Sequence, residues 1–355
     1  LIEQTDRNYD NLIWRASTIY DHKFLKRHSN IVGAEVYSEQ LLSFMFVSDG
    51  ASVKKNAQNY SVFAQQEWAL SEKVTLVSGV RFDYHSQFKG FPTFRLSTMY
   101  KINPYITLRG GYSGGFRSPT LKELYTDWFH PYGGGFQIIG NKNMKAEKSH
   151  NFNLSTDFSY KRLDITLMGQ YSYINKKIDL FWLSNDTIQY QNSGNANVTS
   201  AELSIAYRFK FNLKLAASYS YVVQLPAKRS IVRPHNITFT ADYTPKFIKK
   251  YAPTLSINGK FYSSMTIFGT VDLSDDKNTT GVDSNTEEYR INYEPYMIWR
   301  LTLSVPLPFH FVIGAGINNL FNYQTKFSSF YSNTTSGRTY YVSLKWNFNL
   351  KNREK

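Results

Sequence analysis

Apolar and polar residues alternate with a period of two along most of this chain, the mark of a strand whose faces meet different surroundings. Between Asn151 and Tyr160, one face carries Phe152, Leu154, Thr156, Phe158 and Tyr160. The other carries Asn151, Asn153, Ser155, Asp157 and Ser159. The alternation recurs over 163–173, 203–209, 213–221, 237–243, 255–261, 297–305, 311–317 and 340–348. No comparable 3.6-residue period occurs, so the pattern predicts an all-β chain with few or no helices.

The more apolar faces of these nine segments contain 42 positions, none of them charged, although charged residues make up 19% of the chain. The opposite faces accept Asp157, Asp164, Glu202, Arg208, Lys214, Asp242, Lys260, Arg300 and Lys345. Strands of soluble sandwiches average roughly 5–6 residues. Many segments here are far longer, enough for the roughly 9–11 tilted residues that cross a bilayer. A transmembrane antiparallel β-barrel inverts the soluble rule, with lipid outside and a polar lumen inside. A charge on its lipid face costs about 2–4 kcal/mol at the midplane, which explains the exclusion. Closure is required because an open edge in hydrocarbon leaves backbone groups unpaired.

Fifteen strands are predicted: 9–23, 30–43, 58–69, 74–85, 93–103, 106–117, 150–160, 164–183, 193–209, 212–224, 234–244, 253–267, 294–305, 311–323 and 338–348. Long links (44–57, 118–149, 268–293, 324–337) largely alternate with short ones (71–73, 104–105, 161–163, 210–211, 306–310), with 244–252 as an exception. Long extracellular loops and short periplasmic turns are the asymmetry of outer-membrane barrels. An odd count with a periplasmic C-terminus makes the first strand run inward, so the expectation is a barrel whose N-terminal part precedes residue 1. Residues 1–348 are then barrel, and 349–355 a solvated periplasmic tail.

Composition narrows the classes. The 355 residues carry a formal net charge of +14 and 17% aromatics, which excludes disorder. No run reaches the roughly 18 apolar residues of a spanning helix. With no cysteine, disulfides, zinc–thiolate sites and cysteine nucleophiles are excluded. The basic residues are scattered and form no nucleic-acid motif, so the excess reads as a solvated or lumen-facing charge. No G-x-S-x-G, H-E-x-x-H or phosphate-loop motif occurs, so no enzyme is expected. The aspartates of 272–285 lack the Gly and Glu placement of an EF-hand and read as a solvated loop rather than a calcium site.

Two boxes follow one another in the first half. Leu108-Arg109-Gly110-Gly111-Tyr112-Ser113-Gly114-Gly115-Phe116-Arg117-Ser118-Pro119 leads into Leu121-Lys122-Glu123-Leu124-Tyr125. After a loop comes Gly140-Asn141-Lys142-Asn143-Met144-Lys145-Ala146-Glu147. Phe116, Arg117 and Pro119 with Gly140, Asn141, Asn143 and Glu147 resemble the paired boxes of the TonB-dependent outer-membrane receptor family. Ile317-Asn318-Asn319-Leu320-Phe321-Asn322 and a last aromatic strand fit the same resemblance. Lys142, Met144 and Ala146 depart from the usual Pro, Leu and Pro of the second box.

The resemblance implies a 22-stranded barrel, of which this chain holds strands eight to twenty-two, and a plug domain that lies outside it. It implies outer-membrane lipid and TonB as partners, with a surface lipoprotein over the mouth as a further candidate. It also implies uptake of haem or another iron chelate, with a cobalamin receptor as the alternative inside the family and a passive porin outside it. Haem receptors of this family place a ligating histidine between the two boxes, which points to His130 as a ligand to haem iron. Trp128, Phe129, Tyr132 and Tyr125 stand beside it as candidate ligand contacts, and the first three equally suit a headgroup-level belt. Haem is then cargo, and no permanent cofactor is expected. Arg117 and Glu123 are expected to form an ion pair that supports the loop.

Overall fold

The computed structural model describes residues 9–24, 28–48, 51–131, 135–184, 186–227, 230–248, 250–272, 286–325 and 335–348. Its main body is a fifteen-stranded sheet in which every neighbouring pair is antiparallel. The first six strands follow in chain order: β1 (Tyr9–Phe24), β2 (His28–Ser48), β3 (Ala51–Ala69), β4 (Val74–His85), β5 (Lys89–Asn103) and β6 (Ile106–Arg117). Beyond them lie β9 (Glu147–Tyr160), β10 (Leu163–Asn175), β13 (Ala196–Arg208), β14 (Leu213–Leu225), β15 (His235–Tyr243) and β16 (Thr254–Tyr262). The far edge is β19 (Tyr296–Pro306), β20 (Phe311–Asn318) and β21 (Thr339–Trp346).

The strands missing from that order are the long links folded on themselves. Between β6 and β9 lie α1 (Leu121–Tyr125), β7 (Asp127–His130) and β8 (Phe136–Ile139). Between β10 and β13 lie β11 (Ile178–Ser184) and β12 (Thr187–Asn192). These four short strands form one sheet in the order β11-β12-β8-β7. A separate hairpin joins β17 (Met265–Asp272) and β18 (Thr286–Tyr293). All these additions stand on the side where long loops of such barrels are extracellular.

Register turns the alternation of each strand into continuous rows. Tyr100, Leu108, Thr156, Leu167, Leu203, Tyr219, Ile237, Phe261 and Met297 pair successively across nine strands. One residue along, Arg109, Ser155, Met168, Glu202, Ser220 and Asn236 do the same on the other face. The apolar face is open to its surroundings: Leu154 is 58% exposed, Leu167 56% and Trp346 57%. The polar face pairs its charges, as in Arg109 with Asp157, Arg208 with Asp164, and Arg81 with Glu35 and Asp83. Exposed oil on one side and paired charge on the other fit a barrel wall between lipid and lumen.

Aromatics bound the apolar band. At the short-turn end Tyr105 packs on Tyr160, Tyr207 on Phe209, and Phe209 on Phe211. At the other end Tyr112, Phe152, Tyr171 and His150 form a second cluster. From His150 to Tyr160 is about 33 Å along the strand, or roughly 23 Å of membrane normal at a tilt near 45°. This is close to the ~25 Å apolar band of an outer-membrane barrel.

Several expected boundaries are corrected. The stretch 44–57 is no loop, because β2 and β3 pair on to Ser48 and Ala51 with a register shift between Ser43 and Val47. Strand 164–183 is broken, since Lys176 takes a left-handed φ of 57° and residues from Ile178 onward join the small sheet. Strand 193–209 begins at Ala196, after Gly194 turns at φ 93°. Strand 253–267 ends at Tyr262, and 311–323 ends at Asn318. The described residues of 268–293 lie in the β17–β18 hairpin, while Asp275, Asp276 and Asp283 lie outside the described residues, as does the tail 349–355. Among the described residues, helix is limited to α1, a 3-10 turn at Pro308–His310 and a 3-10 position at Ala227.

Candidate functional site

The two boxes meet at the extracellular rim. Arg117 ends β6 and Glu147 begins β9, and the register sets them directly opposite. Arg117 Nε and Nη2 each donate to a Glu147 carboxylate oxygen at 2.9 Å, a bidentate pair. Its Nη1 donates to both oxygens of Glu123 at 2.9 Å. Glu123 is also the N3 residue of α1: its carboxylate accepts the Thr120 N–H, and Thr120 Oγ1 accepts the Glu123 N–H. This capping box lets a five-residue helix persist where propensity alone would not hold it.

Burial by itself would raise the Glu147 carboxyl. The Arg117 hydrogen bonds and the Ile178 N–H outweigh it and hold the group below its ordinary range. Those same carboxylates push the Arg117 guanidinium further up. Both residues stand above the upper aromatic cluster, outside the hydrocarbon band.

The second box is structural at nearly every position. Gly140 donates to Thr126 O and Asn141 to Glu123 O. A Cβ at Gly140 would come 2.6 Å from the Leu124 carbonyl carbon, so a side chain does not fit there. Asn141 Oδ1 accepts the Asn143 N–H at 2.9 Å. Met144 is buried with Leu124 and Ile178, and Ala146, two residues further on, is also buried. The swap of Leu for Met conserves volume, which a packed site tolerates. Asn192 clamps the box from β12, accepting from Lys145 N–H and donating to the carbonyls of Lys145 and Lys176. Tyr190, against the same cluster, has its phenol pushed up by burial and by the charge of Glu123.

This frame carries an aromatic run. Phe44 meets Trp128 edge-on at 6.0 Å, and Trp128 meets His130 edge-on at 5.0 Å. His130 stacks on Phe136 at 4.8 Å with planes 11° apart, and Phe136 meets Trp182 at 5.4 Å. The Trp128 indole N–H is buried with no hydrogen-bond partner among the described residues. Phe129 points to the opposite face of β7 and is exposed. Tyr125 is drawn into packing with Phe46, and its hydroxyl accepts from Gln87 Nε2. Tyr132 lies outside the described residues. Phe116 stacks on Phe91 at 4.6 Å, and Pro119 is buried. Lysines crowd the same rim: Lys55 and Lys142 lie over the Tyr125 ring, Lys148 over Phe91 and Lys122 over Tyr9.

Sequence reasoning named Trp128 and His130 but missed Phe44, Phe136, Trp182 and Asn192. The alternation alone puts Phe44 in a loop and Trp182 in a membrane strand. Phe136, Trp182 and Asn192 meet in a sheet built from two separate links, which Phe44 reaches from β2.

A lipid-facing antiparallel wall with a braced, aromatic extracellular rim defines an outer-membrane β-barrel of the receptor type. The family model described as TonB dependent receptor-like, beta-barrel matches residues 3–320, and the chain belongs to that family. Its members are receptors and transporters rather than enzymes. The Iron-regulated outer membrane virulence protein of Vibrio cholerae is 38% identical over 97 residues, 27% of this chain and 15% of that protein. Ferric enterobactin receptor PirA of Pseudomonas aeruginosa is 23% identical over 367 residues, covering 94% of this chain and 46% of its own. The crystal structure of the siderophore receptor PirA from Acinetobacter baumannii superposes with a TM-score of 0.74 at 18% identity, over 96% of this chain and 55% of that one. The chain therefore spans about half the length of these last two relatives, each of which matches nearly all of it.

Proposed function

We propose that this chain is the barrel wall and ligand-capturing rim of an active uptake receptor for a ferric chelate. The observation that carries the reading is the aromatic run from Phe44 to Trp182 beside the rim lysines. Aromatic faces and cations together suit a flat or aromatic ligand of negative charge, and a positive mouth concentrates it. The names of the relatives that match nearly end to end support an iron chelate as cargo. A plug from outside this chain closes the lumen at rest, and TonB supplies the force that moves it. A surface lipoprotein over the mouth is a further partner, tested by co-purification from detergent-solubilised membranes.

The test is uptake of radiolabelled ferric enterobactin by iron-starved cells with and without the intact gene. Uptake that needs both the gene and the membrane potential supports the reading. Gene-independent uptake overturns it. Large stable conductance of the full-length protein in planar bilayers would instead favour a passive porin, and saturable cobalamin uptake would move the cargo to corrinoids.

A second reading makes haem the cargo with His130 as the iron ligand. It is favoured by the aromatic surroundings of His130, where Trp128 and Phe136 offer faces for a porphyrin whose iron the imidazole nitrogen would meet with its ring upright to the macrocycle. Haemin titration decides it: a Soret shift lost in His130→Ala supports ligation, and an unchanged spectrum removes His130 from that role.

A further inference from the structure

Two tyrosine–histidine pairs repeat one geometry at separate places on the lipid-facing side. Between β6 and β9 the Tyr112 hydroxyl lies 2.9 Å from His150 Nδ1, with ring centroids 6.0 Å apart and planes at 25°. Between β14 and β15 the Tyr219 hydroxyl lies 2.8 Å from His235 Nδ1, with centroids 6.0 Å apart and planes at 21°. The register is also the same. Each histidine faces the residue two beyond its tyrosine, Gly114 in one case and Tyr221 in the other. A second tyrosine flanks each imidazole, Tyr173 at 6.4 Å and Tyr221 at 5.0 Å. Two residues further out on each histidine's own chain segment stands a base, Lys148 before His150 and Arg233 before His235.

Both pairs lie at the extracellular edge of the apolar band, where headgroups begin. A ring belt at that depth needs amphipathic faces, but it does not need a hydroxyl fixed on an imidazole twice over. That bond has a chemical result. With the phenol as donor to Nδ1, the neutral imidazole carries its proton on Nε2 and presents an N–H donor. Lys148 and Arg233 bring positive charge to the same rim, Lys148 lying over Phe91, and Arg233 lying over Tyr296 and donating to the carbonyls of Ser263 and Glu294.

We propose that the two pairs are equivalent sites for the phosphate of lipid headgroups in the outer leaflet, each imidazole Nε2–H donating to a phosphate oxygen. The tyrosine sets the tautomer and the flanking rings hold the imidazole upright in the headgroup layer. The sites act on the surrounding lipid and are independent of the cargo.

The experiment uses the full-length receptor purified in mild detergent, offered lipid A or enzymatically dephosphorylated lipid A, and read by native mass spectrometry. The wild type retains two more molecules of the phosphorylated lipid than of the dephosphorylated one. His150→Phe and His235→Phe keep a ring in place, and each loses one, with affinity at that site falling about tenfold. Tyr112→Phe and Tyr219→Phe keep their rings and free the tautomer, and each weakens retention several-fold by comparison with wild type. Equal retention of the two lipids, or full retention in the double histidine variant, overturns the proposal. If the histidine variants fail to fold, unchanged lipid A retention in the tyrosine variants overturns it equally.

Discussion

Arg117 and Glu147 are direct partners in the β6–β9 ladder, and the guanidinium that binds Glu147 at two points also binds both oxygens of Glu123 in α1. One side chain thus joins two membrane strands to the first turn of the link between them. The positions of greatest family resemblance build the platform of the rim, and the aromatic run is mounted on it.

Arg117→Ala leaves two carboxylates facing each other without their shared cation. Local stability of the 118–146 link is expected to fall by about 1.5–3 kcal/mol, less than for a fully buried triad because Arg117 is partly exposed. Hydrogen exchange at the Thr126, Gly140 and Asn141 amides checks this, with protection falling and the barrel strands unchanged.

The pair also sets a pH response. Glu147 sits below its ordinary value of 4.5 when folded, so its contribution is complete above that value. It is lost as pH falls through the lower folded value. Rim amide protection should therefore hold from neutral pH to about 5 and decline below roughly 4.5. Glu147→Gln should start low and lack that step.

At Gly140 an added methyl meets the backbone of Leu124 and Tyr125 rather than a movable side chain. Gly140→Ala should cost about 1–3 kcal/mol through overpacking. Faster proteolysis within 118–146 is the readout, with the heat-modifiable gel mobility of the barrel retained.

Neighbouring residues on β10 test which side faces lipid. Leu167→Lys places a charge in the apolar row and should destabilise the barrel by about 2–4 kcal/mol in lipid vesicles. Met168→Lys points to the lumen opposite Glu202 and should change stability by less than about 1 kcal/mol. Urea unfolding of the two variants, compared side by side, gives the difference, and equal losses would contradict the assignment of faces.

Trp128→Ala opens the aromatic run between Phe44 and His130. Ferric chelate affinity is expected to drop about tenfold, the weight of one well-buried aromatic contact. Equilibrium binding to the purified receptor checks it, with an unchanged rim exchange pattern as the control for folding.

The alternation of residues such as Phe152 and Asn153 by itself determined the fold class, the sidedness of the wall and most strand cores, because a strand's period of two is written locally and lipid excludes charge everywhere along it. The Arg117–Glu123 pair was equally legible, since its partners are six residues apart and flank a capping sequence. Tertiary structure alone decided that Glu147 completes that pair, that Ile178–Ser184 leaves the wall, that Phe44, Phe136 and Trp182 gather around Trp128 and His130, and that His150 and His235 each meet a tyrosine across a ladder. These depend on register between strands far apart in the chain, and register is set by the pairing of whole faces rather than by any short stretch of sequence.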